Sequence, residues 1–440
     1  MKKLRYIVVL LAGAWSLATW SQDFARMSGQ SISGTARYVG MSGAMTAIGG
    51  DPSAAMDNVA GLGLYRRSEL LLTFEELIDK TWQTGQSGHD LRHSFMCPHA
   101  SVVFSLPAFN MTEKGVLFNN FMFSYHRKNC FNRTLYAQGG ADASLGSIMP
   151  ALDIPFCTNP KNASNSLDLW ELGASNMFSF DWAMNISNRW FVGAGIHLLS
   201  ASMEGRAEYK ETFNVRNERG DLLYNDNSTT LRYSTLSCAF AAGLIYRPTG
   251  WLRLGLGIQT PSLGGLSIYS TGTLYALTDS LRSSSAPSGS NRDKSFHMPL
   301  HLSSSVAFQI GAYGMIGLQY DYFYQPSADS YHSLRTGIEV IPVLGMYINA
   351  GYAFESKFNS ADRVVPIDPV FDRQDTYFLH PKWSQNASFA IGYRGEYVMF
   401  QVAYQYRWQR INLFAHEAAN PYDMRADTHR IVLTLGWHRY

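Results

Sequence analysis

Polar side chains at every second position are the residues of this sequence best placed to do chemistry. His301 stands between Leu300 and Leu302. Gln319 and Asp321 alternate with Leu318, Tyr320 and Tyr322, and Arg335 shares a parity with Glu339. Arg394 follows Ile391 and Tyr393, while Gln401, Gln405 and Arg407 alternate with Phe400, Val402, Tyr404, Tyr406 and Trp408. This spacing puts each polar set on one face of a β-strand. An arginine so placed can grip a ligand carboxylate through two parallel hydrogen bonds. It can equally pair with a neighbouring carboxylate, which is the structural reading of Arg335 and Glu339 on one face.

Other chemistries find less support. Gly193-Ala194-Gly195 lies in an extended run and lacks the following helix that a phosphate loop needs. The four cysteines, Cys97, Cys130, Cys157 and Cys238, show no metal-ligand spacing. Cys130 and Cys157 fall in one long connection, where a disulfide and two unpaired thiols both remain open. Twelve histidines make chance pairs easy, yet no local Ser/His/acid or paired-carboxylate motif stands out. The expectation is therefore no catalytic residue, no cofactor and no metal.

The chain opens with basic Lys2, Lys3 and Arg5, an apolar run from Tyr6 to Ala18, and small residues before Ser21. Residues 1–21 read as a secretory signal peptide whose apolar run is too short to span a bilayer. Removing it takes the formal charge from +2 to −1, so nothing suggests a nucleic-acid partner. Charged residues make up only 16% of the chain, against roughly 25% in ordinary soluble domains, while aromatics reach 14%. After residue 21 no apolar run approaches the ~18 residues of a membrane helix. An exported, aromatic, weakly charged chain of this kind points to a membrane barrel, because only helices and closed barrels satisfy their backbone in lipid.

Period-two alternation recurs along the chain. It marks strands near 66–76, 98–107, 115–127, 174–186, 190–205, 228–247, 251–262, 296–310, 314–326, 331–342, 345–355, 384–394, 397–409 and 426–439. Fourteen is an even number, as bacterial single-chain barrels have. Short connections follow the even strands. Long ones, around 77–97, 128–173, 206–227, 263–295, 356–383 and 410–425, follow odd strands, and of the connections after odd strands only the one near 327–330 is brief. That is the pattern of short turns on one side and long outer loops on the other. The segment after Trp251 stays extended beyond Thr260-Pro261-Ser262, as a projecting or a bulged strand. The last residue, Tyr440, resembles the terminal aromatic read by barrel assembly machinery, although Ile431, Leu433, Leu435 and Trp437 have the opposite parity.

The small-residue-rich stretch from Gly49 to Tyr65 fits neither a good strand nor a good helix. The run Gly34-Thr35-Ala36-Arg37-Tyr38-Val39-Gly40-Met41-Ser42-Gly43-Ala44 leads to Gly50-Asp51-Pro52-Ser53-Ala54 and Asn58-Val59-Ala60-Gly61-Leu62. With these and the strand count, the chain resembles the FadL-type long-chain fatty-acid transporters of the bacterial outer membrane and their aromatic-hydrocarbon-channel relatives. In that family an Asn-Pro-Ala-Gly-Leu-like element belongs to an N-terminal plug; here Asn58, Ala60, Gly61 and Leu62 match and Val59 replaces the proline, which removes a fixed φ.

The resemblance implies an all-β fold, a fourteen-stranded antiparallel transmembrane β-barrel over 65–440 with a plug (hatch) of residues 22–64 inside its lumen. It implies a monomer in outer-membrane lipid that passes fatty acids or other lipophiles by passive uptake, plug movement and lateral exit. The candidate ligand-facing residues are Arg394, Arg407, His301, Gln319 and Arg335. Leu169, Trp170 and Leu172, in a stretch able to form a short amphipathic helix, are candidates for outer capture. A general or structural porin is the alternative, and an outer-membrane hydrolase a more distant one. The small, weakly polar face of Thr235, Ser237, Ala239, Ala241 and Gly243, together with the plug, argues against an open pore.

Overall fold

The computed structural model describes residues 31–86, 88–109, 115–139, 163–216, 222–278, 281–284, 290–296, 298–325, 328–356, 378–414 and 421–439. Alternation becomes one closed antiparallel barrel. Its strands are β1 (Ser68–Gln83), β2 (Asp90–Pro107), β3 (Val116–Cys130, continued by Arg133–Gly139), β4 (Ala163–Ile186), β5 (Trp190–Arg216), β6 (Leu222–Tyr246) and β7 (Leu252–Gln259, continued by Leu263–Thr278). They continue as β8 (Ser290–Phe296 and Leu300–Ile310), β9 (Gly314–Gln325), β10 (Ala328–Val340), β11 (Met346–Glu355), β12 (Phe378–Arg394), β13 (Val398–Phe414) and β14 (Tyr422–Arg439). A four-residue piece, Leu281–Ser284, folds back on the second part of β7. β14 pairs with β1 from Ser68↔Arg439 to Gln83↔Met424 and closes the wall, so no free edge is left there.

All fourteen expected strands are present, and the corrections concern their outer ends. Much of what reads as long loops is strand: β5 and β6 run together from Trp190↔Tyr246 to Arg216↔Leu222. The reason is a change of solvent. On the lower part of β5, Trp190, Val192, Ile196 and Leu198 face outward and are exposed. Further up, Glu204, Arg206, Glu208 and Lys210 take the outward positions, while Leu199, Ala201, Met203, Ala207 and Tyr209 are buried inside. The lower band suits a bilayer about 25 Å thick; the upper one suits water outside and an apolar core within. Leu169, Trp170 and Leu172 lie in β4 and not in a helix: Leu169 is buried inward, Leu172 points outward. The segment after Trp251 is interrupted at Thr260-Pro261-Ser262, and both parts of β7 pair with β6. Cys157 and Tyr440 lie outside the described residues.

The chain from Ser31 to Leu64 lies inside this barrel. A one-turn helix, α1 (Ala36–Gly40), is capped by Thr35, whose side chain accepts from the Tyr38 amide. Two 3₁₀ turns follow, Ala54–Met56 and Val59–Leu64, the second capped by Asn58 accepting from the Ala60 amide. Inward-facing wall glycines set the approach of this segment. A Cβ on Gly193 would stand 2.8 Å from the Ala60 nitrogen, on Gly255 2.8 Å from the Ala47 Cα, and on Gly337 2.7 Å from the Met41 oxygen. On Gly257 it would collide with the Asp57 carbonyl, and on Gly243 with the Asn58 side chain. Backbone therefore meets backbone where side chains would hold the two apart.

Gly257→Val is expected to cost about 1–3 kcal/mol through overpacking and to lift the inner segment from the wall. Limited trypsin digestion of the folded barrel should then cut after Arg37, which is shielded in the native protein. An unchanged digest would show that glycine does not set this docking.

Candidate functional site

The inner segment carries the chemistry it shares with the wall. Arg37 leaves α1 with its Nε 2.6 Å from Glu339 Oε2 and its Nη2 2.9 Å from Glu339 Oε1, a two-pronged pair on β10. Its Nη1 donates to the Gly50 carbonyl at 3.0 Å, which ties the helix to the following turn. Burial works against the Arg37 charge, but Glu339 outweighs it and holds the guanidinium above its ordinary pKa.

A second buried pair runs the other way. Arg335, also on β10, reaches Asp57 of the segment at 3.2 Å and Asp321 of β9 at 3.1 Å. Tyr38 donates its hydroxyl to Asp57 Oδ2 at 2.7 Å, and Gln319 donates to Asp321 Oδ1 at 3.0 Å while accepting from the Thr46 amide. His301 stands 3.1 Å from Asp321 and stacks on Phe323. Asp57, His301 and Asp321 have the composition of a cation site, but the Arg335 guanidinium already supplies the positive charge between the two carboxylates. Burial pushes the Tyr38 hydroxyl far above its ordinary pKa, so it serves as a donor.

Further bonds reach around the lumen. The Ala36 amide donates to Thr434 and the Arg37 amide to Gln401. Ser42 bonds Ser388, Thr46 bonds Ser303, and Arg253 donates to the Ile48 carbonyl. Asn58 donates to the carbonyls of Thr46 and Leu244, and Asn120 to that of Leu62. The run Gly50, Asp51, Pro52, Asn58, Val59, Ala60, Gly61 and Leu62 is buried almost throughout. Burial also pushes the Asp51 carboxyl up, against Arg37 and the hydrogen bonds from Thr35 and Ser53.

The lumen candidates thus separate. His301, Gln319 and Arg335 form one cluster, and Arg335 and Glu339 pair with the segment, not with each other. Arg407 sits above, 3.2 Å from Glu355, beside a cavity of about 160 Å³ also lined by Ser31, Phe131, Leu379 and Ile411. Gln405 accepts from Arg430 there. Arg394 lies at the opposite mouth, 3.3 Å from Glu69. Sequence reasoning missed Glu69, Glu75 and Arg430. The parity of β1 and β14 marks all three as inward, and Arg430 pairs with Glu75 at 3.0 Å.

The wall itself is interrupted beside this site. β2 and β3 are laddered only from Pro107↔Phe118 up to His99↔His126. Beyond that rung the second part of β3 turns into the lumen. There the Thr81 hydroxyl on the inner face of β1 donates to the Thr134 carbonyl, and Gln83 bonds both the amide and the carbonyl of Gln138. Leu135 and Ala137 join Leu413, Met424 and Ala426 in one apolar cluster. Across the gap the described contacts are between side chains, Asn132 to Ser94 at 3.3 Å and Arg127 to the Met96 sulfur at 3.6 Å.

Arg335→Met strands Asp57 and Asp321 in a dry interior and should destabilise the barrel by roughly 3–5 kcal/mol. Adding Asp57→Asn should recover part of that loss. The temperature at which the purified protein shifts between folded and unfolded mobility on an SDS gel measures both. An Arg335→Met barrel as heat-resistant as the native one would remove Arg335 from the network's centre.

No family model matches this chain, and no curated protein does. Solved structures do. A Pseudomonas aeruginosa FadL homologue aligns with TM-score 0.59 and 12% identity, over 93% of this chain and 99% of that one. The Pseudomonas putida toluene transporter TodX aligns at 0.54 and 13%, and the Ralstonia pickettii toluene transporter TbuX at 0.56 and 12%, both with the same coverage. This chain has the fourteen-stranded barrel fold of those proteins.

Proposed function

We propose that this protein lets hydrophobic compounds, long-chain fatty acids among them, cross the bacterial outer membrane passively and leave sideways through the gap between β2 and β3. The interrupted wall carries this reading. A closed ladder would present the bilayer with a continuous hydrogen-bonded surface, whereas Leu91 to Pro98 of β2 lack a β3 partner among the described residues. Side-chain contacts across such a gap part more easily than a ladder. The inner segment fills the lumen below it, which opposes free diffusion of hydrophilic solutes and disfavours the porin alternative. The toluene transporters that share the fold are named for an apolar solute, which supports the same solute class here. Movement of the inner segment would join the outer cavity to the gap, and no gradient or nucleotide enters the scheme. Outer-membrane lipid is then both the surroundings of the barrel and the destination of the solute.

In a cysteine-free background, Ser94→Cys with Asn132→Cys places two thiols on either side of the gap. Joining them with a short bifunctional thiosulfonate should reduce uptake of labelled long-chain fatty acid at least tenfold, and reductant should restore it. Undiminished uptake with the link in place would sink lateral exit.

A further inference from the structure

Three buried polar groups of the wall take no part in holding the inner segment. His99 and His126 face each other on the last rung of the β2–β3 ladder, their rings edge to face with centroids 5.7 Å apart. Both are buried, and neither nitrogen of His99 nor Nδ1 of His126 has a hydrogen-bond partner among the described residues. Lys128, two residues further along the same inward face, is also buried, and the Asp57 carboxylate of the inner segment is the charge that acts on its ammonium. Leaving imidazole nitrogens unpaired in a dry interior is costly, because each loses its water and gains nothing in return.

Their place in the fold gives these groups a use. The rung they occupy is the last before the wall opens. Ser31 of the inner segment donates through its amide and its hydroxyl to the Lys128 carbonyl, at 3.3 and 2.7 Å, and Ser31 also lines the outer cavity. The next residue, Ile32, accepts from Arg430 of β14. Ser31 and Ile32 are thus tied to the wall at Lys128 and Arg430, and Gly34, two residues on, lies against His126, where an added Cβ would stand 3.5 Å from the ring Cε1.

We propose that His99, His126 and Lys128 form a head-group site for an acidic amphiphile, a long-chain carboxylate, engaged when Ser31–Gly34 moves aside and before the chain leaves through the gap. The inference rests on the passage proposed above. Two imidazole N–H groups and an ammonium give a carboxylate three donors and a positive charge. A hydrocarbon offers nothing to them. A metal ion suits the site poorly, since Lys128 repels it and no third His, Cys, Asp or Glu joins the two imidazoles among the described residues.

The test compares uptake of oleate with uptake of octadecene, an uncharged chain of equal length, in cells carrying the native protein, Lys128→Met, Lys128→Arg, or His126→Asn. Heat-modified gel mobility establishes that each variant is a folded barrel. Lys128→Met and His126→Asn should lower oleate uptake about tenfold and leave octadecene unchanged, while Lys128→Arg keeps most of the oleate signal. Equal loss of both probes, or no loss of either, overturns the head-group site and leaves passage standing. A native protein that passes octadecene but not oleate overturns the site as well. A native protein that passes neither overturns passage itself, and the site with it.

Discussion

The arrangement depends on two ion pairs that cross between the wall and what it encloses. Arg37 of the inner segment needs Glu339 of β10, and Arg335 of β10 needs Asp57 of the segment. Each partner contributes one cation and one anion, so neither surface is satisfied by itself once water is excluded. Burying such pairs costs nearly as much as their attraction returns, and their net contribution to stability is small. What they supply is position. A segment shifted by one residue would face Arg335 without Asp57 and Glu339 without Arg37, and the penalty for either would be several kcal/mol.

Glycine makes that position reachable. The pairs form only if the segment's backbone lies against the wall, and it lies there because Gly193, Gly243, Gly255, Gly257, Gly317 and Gly337 leave no side chain between them. Gly193-Ala194-Gly195 is one part of this band: Gly193 faces the segment at Val59 and Ala60, while Gly195 makes room for the Asp181 carboxylate on the neighbouring strand. The charges select the register and the glycines permit the contact. Either alone would leave the segment loosely held.

The barrel was legible in the sequence because its two faces meet different media, which forces a period of two. Phe400, Val402 and Tyr404 had to face lipid once Gln401 and Gln405 faced inward. Above the bilayer the period persists but its sense reverses, so Leu199, Ala201 and Met203 point in while Glu204 and Arg206 point out. Such stretches therefore read as loops wherever apolar residues are expected to face outward. Leu167-Asp168-Leu169-Trp170-Glu171-Leu172 was ambiguous for a related reason: six residues fit a helical stripe and an alternating strand about equally, and pairing with Glu204 to Tyr209 decides it. Partners in the lumen were not legible at all. Arg335 and Asp57 are 278 residues apart, and parity says that a side chain points inward without saying whom it meets.

The interruption of the wall follows from equally local causes. Pro98 precedes His99 on the side of β2 where pairing with β3 ends, and it has no amide hydrogen to leave unpaired. The β1–β2 register shifts at this level, between Thr73 and Glu75, so the strand bends where it loses its partner. On the other side of the gap, the Phe131 amide donates to the Gly173 carbonyl and the Gly173 amide to Asn132 Oδ1, which satisfies the backbone where β3 turns. Leu135 and Ala137 then exchange water for the apolar cluster inside. The Phe131 and Gly173 amides are thus bonded where β3 turns, and Pro98 has no amide hydrogen to lose. His99, His126 and Lys128 stand at the inner edge of this gap.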